Sequence, residues 1–285
     1  MNKLNKVVII SDSTCDLTQE LLDRIQVKTI PLHVIFKEKS YDDGRNLTTN
    51  QMYQMIEEVG YLPTTSAVSP GEWIHFFEPF IEQGFDIVYL GIGAGLSATF
   101  QSARVASLEF PEDRIFLVDS QNLSSGSGLL VLTAAKLRDQ GLSASNIQEA
   151  LNLLVPKVRS QFAIETLEFL HRGGRCSGTA RLFGTMLKLK PIIKVIDGKL
   201  QVGKKPIGKI TRALDVMLDE LILVLDQVDP EFVMVTHSVA NDAATYAIEK
   251  LLGLNYFKNV YETEAGCVIS THCGKGTIGI LYIMK

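Results

Sequence analysis

Hydroxyls, carboxylates and glycines recur just after short β-rich runs of this 285-residue chain. That is where ligands gather in an open parallel sheet, outside the carboxyl ends of its strands. The first group is Ser11-Asp12-Ser13-Thr14-Cys15-Asp16. An aspartate there suits a phosphotransfer nucleophile, but Thr14 stands where the D-x-D-x-T pattern needs a second Asp. The same residues equally cap a helix and fix the loop. The second group is Gly91-Ile92-Gly93-Ala94-Gly95-Leu96-Ser97. Its glycines let backbone approach a ligand, and a helix N-terminus offers free N–H groups to an anion. Leu96 replaces the last glycine of the dinucleotide pattern G-x-G-x-x-G. Ser97 is either an N-cap or a hydroxyl that donates to a carboxylate. The third group, Thr64, Thr65, Ser66 and Ser69 before Pro70, reads alone as a cap and linker. The fourth is Ser270-Thr271-His272-Cys273-Gly274-Lys275-Gly276. Read as extended chain after a late strand, it points His272 and Cys273 to opposite faces, which discounts a Cys/His nucleophile pair. His272 in its glycine-flanked turn is either an anion ligand or a surface histidine.

The elements that must position these groups follow from periodicity. Residues 7–11, 29–36, 87–91 and 115–119 read as strands alternating with amphipathic helices, the pattern of a parallel sheet with crossover helices. Asp16 is expected to cap a helix over 17–25. Thr48 with Gln51, and Ser69 with Glu72, form capping boxes, the latter with Pro70 at the first helical position. Trp73, Phe76, Phe77 and Phe80 share one face of that helix and read as core. Further helices are expected over 97–109, over 126–140 ending at Gly141, and over 144–158 with a bend at Pro156. Then the pattern changes. A strand over 162–167, a hairpin over 192–202 turning at Asp197-Gly198, a helix over 209–227, a strand over 232–237, a helix over 239–252 and strands near 259–271 and 277–283 complete the chain. The expected fold is α/β in two domains: an N-terminal parallel-sheet α/β/α domain, residues 1–156, and a C-terminal α/β domain with a mixed or antiparallel sheet, residues 157–285.

Composition excludes several classes. With 46% hydrophobic and 21% charged residues the chain carries material for a large core. Its longest apolar runs, 129–132 and 221–225, fall far below the roughly 18 residues of a spanning helix. The apolar run at 7–10 is shorter than the roughly 7–15 residues of a signal-peptide core, so the expected location is the cytoplasm. Cys15, Cys176, Cys267 and Cys273 have neither disulfide-framework nor zinc spacing, and no metal is expected. The net charge of −4 hides a basic segment: residues 171–212 hold eleven Lys and Arg against Asp197 alone. That segment is either a solvated face or a docking surface. With Phe183 its one aromatic and no helix-turn-helix pattern, nucleic acid is not expected.

Taken together, Asp12-Ser13-Thr14 with Asp16-Leu17, Thr65-Ser66, Gly95-Leu96-Ser97 with Thr99, Arg172-Gly173-Gly174-Arg175, and Thr271-His272 with Gly274 and Gly276 resemble the DegV family in order and spacing. The resemblance covers essentially the whole chain. It implies a bacterial fatty-acid-binding protein, the acyl-carrying subunit of fatty acid kinase, with a long-chain fatty acid such as palmitate or oleate buried between two α/β domains. The family's head-group ligands carry over onto Thr65, Ser97 and His272. Thr64 is a substitute for Thr65, and Ser66, Asp12 and Ser13 are secondary candidates. The partners so implied are the fatty acid, the kinase's catalytic subunit and, transiently, a membrane surface, with Arg172 and Arg175 chosen for phosphate or partner contact; no cofactor is implied. Ala67-Val68, Ala98 and Lys275 depart from the family pattern near those ligands. No complete nucleophile–base set or Walker pattern is present, which favours a binding protein over an enzyme; that it feeds acyl-phosphate to phospholipid synthesis is what the resemblance implies. The rival reading is a small-molecule phosphotransferase or hydrolase using Asp12 and the 91–97 turn. A third is a regulatory protein acting through its basic face.

Overall fold

A computed structural model of the chain describes residues 6–176 and 189–285; Arg181, Phe183 and Lys188 of the basic segment lie outside them. In chain order the elements are β1 (Lys6–Asp12), α1 (Gln19–Arg24), β2 (Lys28–Ile30), β3 (His33–Phe36), β4 (Lys39–Asp42), α2 (Thr49–Val59), β5 (Thr64–Ser66), α3 (Pro70–Glu82), β6 (Phe85–Leu90), α4 (Thr99–Ser107), β7 (Ile115–Val118), α5 (Ser125–Asp139) and α6 (Ala144–Leu154). There follow β8 (Val158–Ala163), α7 (Glu168–Gly173), β9 (Ile192–Ile196), β10 (Lys199–Val202), α8 (Ile210–Ile222), β11 (Val228–Ser238), α9 (Asn241–Gly253), β12 (Asn259–Glu264), α10 (Cys267–Cys273) and β13 (Thr277–Met284).

The fold is α/β. A parallel sheet has the order β2-β1-β6-β7. A six-stranded mixed sheet has the order β10-β9-β8-β13-β11-β12, with β11 and β12 parallel and the remaining pairs antiparallel. A small antiparallel sheet, β4-β3-β5, stands beside them. The Val and Ile run of β1 is buried almost throughout, as a strand covered on both faces must be. Helix α5 begins Ser-Gly-Ser-Gly and is buried over most of its length. Its small residues let it lie between the sheets, so that Leu129, Leu130 and Val131 share one core with Ile9 and Val88 of the parallel sheet and Met234, Leu281 and Ile283 of the mixed one. Both expected capping boxes are present. Trp73 and Phe77 are fully buried beside Tyr89, with Phe76 and Phe80 packed against that core. At the β9–β10 turn, Asp197 and Gly198 both take positive φ, 49° and 71°, the geometry that matches strand twist.

Four expectations need correction. Residues 29–36 are two strands in different sheets: Pro31, which has no N–H for a ladder, marks the break, and the chain leaves β2 to re-enter as β3. Helix α1 is capped by Thr18, whose hydroxyl accepts from Leu21 N at 3.2 Å. Asp16 instead sits at φ 50° and turns elsewhere. The strand expected over 162–167 is β8, ending at Ala163, because the preceding helix stops at Leu154 and a single 3₁₀ turn carries Pro156. The stretch read as a strand to residue 271 is β12 followed by helix α10, so His272 is helical.

Helix α10 is held by remote carboxylates. Asp16 accepts from Gly266 N at 2.9 Å and from the Ser124 hydroxyl. Asp43 accepts from Cys267 N at 2.7 Å and from Ser13 Oγ at 2.9 Å. Burial lifts the Asp16 carboxyl well above its usual range, and the neighbouring Asp43 and Asp12 add to the rise against the opposing bonds from Ser124 and Gly266. The folded state therefore keeps this proton at pH values where the unfolded chain has lost it, so Asp16 lowers stability as pH climbs above about 4. Asp16→Asn removes that slope. Its melting temperature relative to the parent is expected to rise between pH 4 and pH 7, and parallel melting curves across that range would refute the assignment.

Candidate functional site

A cavity of about 280 Å³ opens between the parallel and mixed sheets. Most of its wall is apolar, including Leu32, Ile92, Leu96, Leu123, Phe162 and Leu200. Ile92, Leu96 and Leu123 come from loops after β6 and β7, whereas Phe162 and Leu200 come from β8 and β10; with Ile164, Leu167 and Ile193 they form one core cluster. The remaining wall is polar: Thr65, Ser66, Ser97, Arg175 and His272. Among the described residues no carboxylate lines it. A compartment whose described lining combines the Arg175 cation, neutral donors and a largely apolar wall suits an anion with an apolar body.

Each polar group has an identifiable support. Thr65 is the middle residue of β5, paired with Val34 of β3, and its Oγ1 lies 2.9 Å from His272 Nε2. Thr64 is exposed and stands outside the cavity wall. Ser97 precedes α4 without being its N-cap residue; its Oγ accepts from Thr99 N at 3.2 Å and lies 2.9 Å from Thr99 Oγ1. The His272 imidazole is held down to about pKa 4 by burial and by the nearby Arg175 guanidinium, so it is neutral at pH 7. Arg175 donates to Gly173 O at 2.6 Å and faces the cavity. Cys273 also lines it, but burial pushes that thiol up to about 12, which makes it a poor nucleophile.

The remaining candidates lie elsewhere. Asp12 is completely buried, and its carboxylate accepts from Thr14 N and Oγ1, from Tyr89 Oη at 3.0 Å and from Ile92 N at 3.0 Å. Oδ1 is thus committed to the turn at Thr14, and Oδ2 to Tyr89 and the start of the 91–97 turn. Ser13 is engaged with Asp43 and accepts from Leu32 N at 3.1 Å. Arg172 pairs with Glu168 on the exposed side of α7, 2.9 Å apart. In the basic segment Lys190 pairs with Glu165, and Lys194 and Lys204 both pair with Glu220, so part of its charge is neutralised locally. Among the described residues no group of His, Cys, Asp and Glu is arranged to hold a metal, and no helix is long and apolar enough to cross a membrane. One site feature was missed from sequence: Gly173 packs against the His272 ring, and the Arg-Gly-Gly-Arg motif was the signal for it.

Fold and cavity together define an α/β protein with parallel and mixed sheets and an amphipathic cavity between them. Residues 6–285 match the family model described as "Uncharacterised protein, DegV family". The chain belongs to the DegV family. A DegV domain-containing protein of Clostridium acetobutylicum is 31% identical over 282 residues, covering 99% of this chain and 100% of that one. Among solved structures, one described as showing fatty acid binding of a DegV family protein from Thermus thermophilus is 30% identical, with a TM-score of 0.92 over 98% of this chain and 100% of that one. A stearic acid-binding protein from Eubacterium ventriosum is 27% identical, with a TM-score of 0.86 over 97% of this chain and 98% of that one.

Proposed function

We propose that this protein is a carrier that binds a long-chain fatty acid in the cavity, its carboxylate at Thr65, Ser97 and His272 and its tail along the apolar wall, with residues 1–156 and 157–285 closing over it as two domains. The observation that supports this most is the pairing of Thr65 with His272 in the wall of a largely apolar cavity that Ser97 and Arg175 also line. Hydroxyls and a neutral imidazole can hold a carboxylate without a metal and leave it open to chemistry by a partner. Each buried methylene contributes roughly 0.8 kcal/mol, so the tail supplies most of the affinity.

On this reading the protein is not catalytic alone. It works in the cytoplasm, where it presents the carboxylate to the catalytic subunit of a fatty acid kinase; the acyl-phosphate formed there enters phospholipid synthesis, and a membrane surface is the transient site of acyl exchange. Arg175, which lines the cavity, is assigned to the phosphate, and Arg172 to the partner. The committed lone pairs of Asp12 weigh against the phosphotransferase rival.

Native mass spectrometry of protein purified from a bacterial host tests the lipid reading. The expected result is a stoichiometric adduct of fatty-acid mass that disappears on denaturation. A protein that stays apo after incubation with palmitate and oleate would overturn it. The kinase partnership is tested separately, by acyl-phosphate formation from ATP only when the kinase subunit is added; nucleotide turnover by the isolated protein would favour the phosphotransferase instead.

A further inference from the structure

The two ring nitrogens of His272 have different surroundings. Nε2 faces Thr65 Oγ1 at 2.9 Å. Nδ1 is buried without a hydrogen-bond partner. What it faces is the Cα of Gly173, at the end of α7: a β-carbon there would stand only 2.2 Å from Nδ1. In glycine a hydrogen occupies that direction, so a C–H points at Nδ1. If Nδ1 carried the proton, hydrogen would meet hydrogen and a buried donor would be left unpaired, at a cost of about 1–3 kcal/mol. A lone pair facing the same C–H makes a weak favourable contact instead.

We propose that Gly173 is a positioning residue that fixes His272 as the neutral Nε2–H tautomer, so that Nε2–H donates to Thr65 Oγ1 and the Thr65 hydroxyl turns its own hydrogen into the cavity as a donor. That the recipient is a fatty-acid carboxylate rests on the function proposed above; the tautomer does not. The depressed basicity of the ring, caused by burial and by Arg175, agrees with a single ring proton at neutral pH. The arrangement makes Thr65 the direct donor, and His272, among the residues proposed above for the carboxylate, then acts through Thr65 by aiming its hydroxyl. It also gives the first glycine of the Arg-Gly-Gly-Arg motif a role that the adjacent Gly174, with open space beyond its Cα, does not share.

The test is ¹⁵N NMR of histidine-labelled, lipid-free protein at pH 7, with His272 assigned by the signals lost in His272→Gln. An unprotonated Nδ1 and a protonated Nε2 are expected, and a protonated Nδ1 would overturn the proposal. Oleate titrations supply the functional arm. The Gln amide can donate toward Thr65 as Nε2–H does, whereas the Asn amide mimics Nδ1–H, so His272→Gln is expected to bind at least about tenfold more tightly than His272→Asn. Equal losses in the two variants would overturn the donor role of Thr65. If the parent shows the expected tautomer yet binds no oleate, the tautomer stands and the lipid reading falls.

Discussion

A Thr65→Val, Ser97→Ala double variant is expected to bind fatty acid roughly 10²–10⁴-fold more weakly than the parent while melting within a few degrees of it. A hydrogen bond to a charged acceptor contributes about 1.5–3 kcal/mol, and the variant removes two hydroxyls from the cavity wall. Valine keeps the shape of Thr65 and the β-branching that suits the β5 position between Thr64 and Ser66. Ser97 is not the N-cap residue of α4, and only its contacts to Thr99 are lost. The apolar wall is untouched, so under the proposed function the loss falls on head-group retention and on presentation to the kinase. Titration with a fluorescent fatty acid, paired with thermal melts, measures both. Unchanged affinity and unchanged kinase turnover in the double variant would remove the head-group assignment.

The largest loss of stability is expected from Gly91→Ala. A β-carbon at residue 91 would stand 1.9 Å from Asp12 Oδ2 and 2.9 Å from the Tyr89 hydroxyl. Asp12 cannot step aside, because the carboxylate that would be struck joins the end of β1 to Thr14, Tyr89 and Ile92. Overpacking combined with buried hydrogen bonds left unmade is expected to cost upwards of about 3 kcal/mol. For a chain of this length that corresponds to a melting temperature lower by at least roughly 5 °C. A wild-type melt for Gly91→Ala would show that the loop and Asp12 are not coupled in this way. Asp12→Asn separates architecture from chemistry: it is expected to lower stability by about 1–3 kcal/mol while fatty-acid binding survives. Under the phosphotransferase reading the same change would abolish turnover.

Elements built from local rules could be read from the sequence, and elements built from distant partners could not. The Val and Ile run of β1, the two capping boxes and the Asp197-Gly198 turn each carry their cause within a few residues. Helix α10 does not. Its sequence, Cys-Val-Ile-Ser-Thr-His-Cys, is rich in β-branched residues and reads as a strand. It is helical because Asp16 and Asp43 satisfy Gly266 N and Cys267 N from 250 and 224 residues away. The same limit governed the site. Thr65, Ser97 and His272 could be picked out by family pattern, but their meeting at one cavity depends on the packing of α10 and α7. The commitment of Asp12 to Tyr89 and Ile92, and the contact of Gly173 with the His272 ring, needed coordinates.

The order in which the chain leaves the ribosome bears on the cavity. Thr65 and His272 are separated by 207 residues, and β13, later still, lies between β8 and β11 in the interior of the mixed sheet. At about 5–20 residues per second, roughly 10–40 s pass between synthesis of the two partners. Through that interval Ile92, Leu96 and Leu123 await the α10 residues that complete their wall, a sticky surface on a nascent chain. On the head-group assignment proposed above, binding would become a certificate of completed synthesis: a chain arrested before residue 272 has Thr65 and Ser97 but lacks His272.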